Sequence, residues 1–129
     1  MIRELGLESS VTITGRVSQQ ELLAYYEIAH TFLCLSAHEG FCVPIVEAFR
    51  SKVPVVALRS GAVPDTLGEA GILLEAPDPH VIAEALESVR SNETLRRAMI
   101  ERGFRRYQSR FSPESVAARF RKFVEGLVP

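Results

Sequence analysis

Apolar residues along the chain fall into short unbroken runs, separated by longer segments in which they recur every three or four positions. The short runs are Val11-Thr12-Ile13-Thr14, Thr31 to Ser36, Pro54 to Leu58 and Ile72 to Leu74. Their branched and aromatic content predicts strands, and the continuous runs predict strands covered on both faces, as in a parallel sheet. Between them the spacing predicts helices. Ser18-Gln19-Gln20-Glu21 is a capping box opening a helix to about Ala29, with Leu22, Leu23, Tyr26 and Ala29 on its buried side. Pro44 to about Ser51 is apolar at Ile45, Val46, Ala48 and Phe49, leaving Glu47, Arg50 and Ser51 as a polar stripe. Gly61 to Leu67 reads as a turn entering a short helix. Asp78-Pro79 starts a helix to about Ser91, Glu93 to Ser109 forms the next, and Ser112-Pro113-Glu114-Ser115 caps a last one with Val116, Phe120, Phe123, Val124 and Leu127 at helical spacing. Met1 to Ser10 reads as a helix end passing into a loop.

Strand and helix alternate with connections suited to crossover helices. The class is therefore α/β, a Rossmann-like parallel sheet with helices on both faces. Ligands of such sheets bind beyond the carboxyl ends of the strands, which gathers Ser36, Glu39, Gly40, Gly61 and Asp65. With 129 residues, 47% of them hydrophobic, and no internal repeat or linker, residues 1–129 read as one domain. No leader, lipidation signal or run of about 18 apolar residues is present, so a soluble, cytoplasmic protein is expected.

The formal net charge is −1, unevenly placed. Residues 96–129 hold nine Lys/Arg against three Glu, and the first 95 hold six against thirteen acids. This basic tail has three readings: a solvated face of amphipathic helices, a peripheral contact with an anionic membrane surface at the inner face, or a nucleic-acid patch. The solvated face comes first. Aromatics on the apolar side rather than among the arginines argue against nucleic acid. Cys34 and Cys42 have neither CxxC spacing nor a histidine pattern, so no metal site and no disulfide is expected from them.

Chemistry concentrates in Glu39-Gly40-Phe41-Cys42-Val43-Pro44-Ile45-Val46-Glu47, a strand-to-helix turn. Gly40 permits a tight reversal, and neither Cys42 nor Val43 offers a capping oxygen. The first helical N–H groups are left free at the positive end of the helix dipole, an arrangement that suits a phosphate. Glu39 lies just before that point and Glu47 one turn inside the helix, and both are acceptors for sugar hydroxyls. A plain alternative for Glu47 is pairing with Arg50. Gly15-Arg16 ends the first expected strand on the same side, where Arg16 reaches a phosphate or base, or serves only the surface.

This run resembles the E-x7-E signature of retaining, GT-B-fold glycosyltransferases of the family 4 type. Gly15-Arg16-Val17, Ser36, Pro54-Val55-Val56-Ala57, Ser60 to Asp65 and Ala70 to Leu74 are similar to that family's donor-binding domain, so the resemblance covers nearly the whole chain. It implies one GT-B lobe, the C-terminal one, binding a nucleoside-diphosphate sugar as donor substrate with no separate cofactor. Glu39 is implied to be the catalytic carboxylate facing the donor sugar. Gly40, Phe41, Cys42 and Val43 are implied to line the diphosphate through backbone amides, Glu47 the ribose, and Gly15 and Arg16 the phosphate side. Three residues depart from the pattern: Cys42 stands where the family commonly has a small residue, often glycine, Lys52 where it usually has glycine, and Asp65 where Glu is more usual. The resemblance also implies an N-terminal acceptor-binding lobe, in cis or in trans, so the chain alone is expected to be a fragment with little activity whose cleft face self-associates. The alternative is a non-catalytic nucleotide-sugar-binding or scaffold module.

Overall fold

The computed structural model describes residues 1–127. Three strands, β1 (Phe32–Cys34), β2 (Val55–Leu58) and β3 (Ile72–Leu74), form a parallel sheet in the order β1-β2-β3. Leu33 stands opposite Val56, and Ala57 opposite Leu73. Around the sheet lie α1 (Gln19–Ile28), α2 (Val43–Arg50), α3 (Val63–Leu67), α4 (Pro79–Ser91), α5 (Glu93–Arg106) and α6 (Pro113–Glu125). The α/β class and parallel order are as the alternating pattern predicts.

Successive side chains of β2 point to opposite faces, and each face has its own core. Val55 and Ala57 pack with Tyr26, Ile45, Ala48, Phe49, Val63 and Leu67 under α1, α2 and α3. Val56 and Leu58 pack with Leu74, Val89 and Met99 under α4 and α5. Every residue of β2 is buried, which explains its unbroken apolar sequence. Helix α5 joins the two cores: Leu95 and Met99 sit in the second, while Gly103 lies against the ring of Phe49 in the first.

Local signals account for the helix ends. Ser18 and Glu21 form the expected reciprocal capping box of α1, Asp78 accepts from the His80 and Val81 amides at α4, and Asn92 and Ser112 cap α5 and α6. Helix α2 ends in a Schellman motif, with Lys52 N–H donating to Phe49 O and Val53 N–H to Ala48 O. Lys52 adopts φ 59°. That is the left-handed C′ conformation glycine favours, and its ammonium lies 4.9 Å from the Phe104 ring centre.

Four expectations need correction. Val11 to Thr14 is no strand: Ile13 is 81% exposed, and among the described residues no backbone hydrogen bond involves Thr12, Ile13 or Thr14. Without a ladder partner, branched residues alone do not hold a strand. Leu23 is part-exposed, leaving Tyr26 as the buried residue of α1. The helix expected to stop at Ser109 continues through a π turn, Tyr107–Phe111. Pro44 is the second residue of α2, after Val43. No helix among the described residues is long and apolar enough to cross a membrane.

Candidate functional site

Parallel strands bring the turn after β1 and the turn after β2 to the same edge of the sheet. They are joined there. Ala62 N–H donates to the Glu39 carbonyl at 3.0 Å, and a Cβ at position 61 would lie 2.0 Å from that same oxygen. Gly61, at φ 47°, is thus required by close approach as well as by backbone conformation. From α3, the buried Thr66 hydroxyl donates to the Phe41 carbonyl at 2.7 Å. The two sides of the motif turn are pinned by the loop and helix that follow β2.

Within the turn, Cys42 is the N-cap of α2, in the left-handed region with φ 58° and ψ 64°, and contributes no side-chain cap. Ile45 N–H donates to Cys42 O. This corrects the expectation of several free helical amides, because Pro44 has none and Ile45 is satisfied. Glu39 N–H has no acceptor among the described residues, and neither do the four N–H groups that follow it, those of Gly40, Phe41, Cys42 and Val43. All four lie at the positive end of α2. Gly40, Phe41 and Val43 are exposed, and Cys42 is buried.

Glu47 is half-buried one turn into α2. Its partner is the Tyr26 hydroxyl, which lies 3.3 Å from Oε2 and 3.2 Å from Pro44 O. No ion pair joins Glu47 to Arg50 among the described residues. Burial first, then the Glu47 charge, pushes the Tyr26 phenol well above its ordinary range. The hydroxyl therefore stays protonated and shares its hydrogen between the two acceptors.

Glu39 is half-buried and faces two sulfurs: its carboxylate, Cys34 Sγ and Cys42 Sγ all lie within 4.8 Å of one another, with the sulfurs 3.7 Å apart. Desolvation, followed by the Cys34 contact and then the Glu39 charge, raises the Cys42 thiol above its ordinary range. His38 is exposed, and its carbonyl accepts from the Ser36 hydroxyl at 3.3 Å. Ser60 Oγ, one residue before Gly61, is enclosed without a hydrogen-bond partner among the described residues.

The structure thus gathers Glu39, Gly40, Phe41, Cys42 and Val43 in one turn, with Glu47 on the helix it opens. Gly15 and Arg16 are exposed, and no hydrogen bond or ion pair links them to that turn among the described residues. Asp65 is tied to α5 instead, its carbonyl accepting from Arg106. Sequence reasoning missed Thr66, Cys34 and the hydroxyl of Tyr26. The last carried a signal, since a tyrosine on the apolar side of a helix needs a partner for its oxygen.

A parallel sheet covered on both faces, with an uncapped helix start and two carboxylates at its carboxyl edge, defines a Rossmann-like lobe of the GT-B glycosyltransferase kind. The chain belongs to the glycosyl transferases group 1 family, whose model matches residues 1–106. Among curated relatives, it is 34% identical over 121 residues to an MMP alpha-(1->4)-mannosyltransferase of Mycolicibacterium hassiacum, covering 92% of this chain and 29% of that protein. It is 33% identical over 130 residues to a D-inositol 3-phosphate glycosyltransferase of Corynebacterium kroppenstedtii, covering 99% of this chain and again 29% of the relative. The chain therefore spans under a third of the length of these relatives. Among solved structures, a sucrose-phosphate synthase from Thermosynechococcus elongatus superposes with TM-score 0.81 at 26% identity, covering 98% of this chain and 32% of that one. The C-terminal domain of a glycosyl transferase group 1 family protein from Francisella tularensis gives TM-score 0.76 at 27% identity, covering 87% and 59%.

Proposed function

We propose that this chain is the donor-binding lobe of a retaining glycosyltransferase that takes a sugar from a nucleoside-diphosphate donor. The observation that carries the reading is the cluster of four acceptorless amides, Gly40 to Val43, at the start of α2 and beside Glu39. Such amides stabilise negative charge without rearranging, which is what a departing diphosphate requires. Glu39, at the turn, faces the donor sugar. Glu47 accepts from ribose hydroxyls, and Tyr26 holds it in place from behind. The acceptor is bound by a further lobe, in cis or in trans, and the rate comes from placing the two substrates against these fixed charges.

The test is a titration with UDP, GDP, ADP and their common sugar conjugates, followed by backbone amide shifts and repeated on Glu47→Ala and Arg50→Ala. Shifts centred on Gly40 to Val46, with affinity reduced about tenfold or more by Glu47→Ala and little by Arg50→Ala, are expected for the loss of a charged hydrogen bond. If millimolar nucleotide leaves those amides unmoved, the donor reading fails.

A further inference from the structure

We propose that Cys34, Cys42 and Glu39 form a binding site for a soft divalent cation of the zinc class. The two sulfurs lie 3.7 Å apart, and both lie within 4.8 Å of a Glu39 carboxylate oxygen. In a tetrahedral zinc complex with Zn–S near 2.3 Å, two sulfurs are separated by about 3.8 Å, and a sulfur and a carboxylate oxygen by about 3.6 Å. The thiols already stand at the tetrahedral edge. Only the carboxylate must close in, by at most about 1.2 Å on those same lengths, and it sits on a half-buried side chain of a turn. Two thiolates with one carboxylate are a donor set that selects zinc-like cations over magnesium or calcium.

The fold builds this juxtaposition within nine residues, from a strand end, a turn and a helix start. Cys34 ends β1, Glu39 lies in the middle of the turn, and Cys42 is held in the left-handed region at the start of α2. The backbone at Cys42 is one that a residue with a Cβ disfavours, and it keeps the sulfur inside, against Cys34. Both cysteines are free thiols. On binding, each thiol releases one proton to solvent, so a cation of charge +2 meets two thiolates and one carboxylate, and the bound cluster carries −1. The fourth coordination position is left to water or an external ligand.

Cobalt(II) reports such a site without any nucleotide. The reduced chain is titrated with Co²⁺, and the sulfur-to-cobalt charge-transfer band is followed, with Zn²⁺ as competitor. The expected result is one equivalent of band-forming cobalt that zinc displaces. The band is absent in Cys34→Ser and in Cys42→Gly, and is formed at least tenfold more weakly in Glu39→Gln. Cys42→Gly suits the left-handed backbone, and its far-ultraviolet circular dichroism checks that it has folded. No band in the reduced wild-type chain, or a band untouched by Cys42→Gly, overturns the proposal. That a bound cation would also withdraw Glu39 from a donor sugar rests on the function proposed above. The cobalt band does not, so the two readings fail separately.

Discussion

A methyl group on residue 61 would meet the Glu39 carbonyl oxygen at 2.0 Å, in a backbone conformation that already disfavours any side chain. Gly61→Ala is therefore expected to destabilise the fold by about 2 kcal/mol or more, the left-handed cost and the steric displacement adding together. Urea denaturation of the two chains measures this, and an unchanged midpoint would contradict the close approach. Lys52 illustrates what can be read one residue at a time. It stands after α2 where the resembling family commonly carries glycine, and its φ of 59° is a conformation that glycine adopts readily. Cys42 was equally visible as a departure from glycine, but its contact with Cys34, eight residues away on the preceding strand, was not. A contact made through a fold leaves no spacing to count. Thr66 was hidden for the same reason, its acceptor lying 25 residues back.

Helices were legible at the scale of elements because their signals are local: caps at Ser18, Asp78 and Ser112, and apolar spacing along each face. Strands are completed by partners elsewhere, so Val11 to Thr14 had strand composition without becoming one. The π turn at Tyr107–Phe111 also escaped the pattern. Arg106, just before it, donates to the Thr66 carbonyl, and its guanidinium lies 5.8 Å from the Phe111 ring centre. Between α2 and α5 the decisive position is Gly103, where a Cβ would come within 2.6 Å of the Phe49 ring. Gly103→Val is expected to cost about 1–3 kcal/mol by overpacking, despite removing a helix-interior glycine. A fall in the thermal midpoint checks this; a rise would mean that the ring yields without loss.

For the molecule as a whole, the sheet has a core on each side, yet α6 buries no residue fully. Phe120 and Phe123 of α6 are 67% and 64% exposed, and Leu127 just beyond its end is 65% exposed. Arg119 precedes Phe120, and Arg121 and Lys122 lie between Phe120 and Phe123, so the tail's charge and these apolar side chains occupy the same helix. Large exposed apolar side chains at this density favour association. Phe120→Ser with Phe123→Ser is expected to reduce the concentration-dependent light scattering of this chain while its helical circular dichroism is retained. Scattering that does not change would place any association elsewhere, the carboxyl edge of the sheet included.

The link between Ala62 N–H and the Glu39 carbonyl also makes the motif turn measurable from outside it. That amide exchanges its hydrogen with solvent only when the two loops part, so its exchange rate is a gauge of how often the turn opens. Anything that holds Glu39 still, whether a sugar, a cation or a neighbouring lobe, slows the clock at residue 62 without touching it.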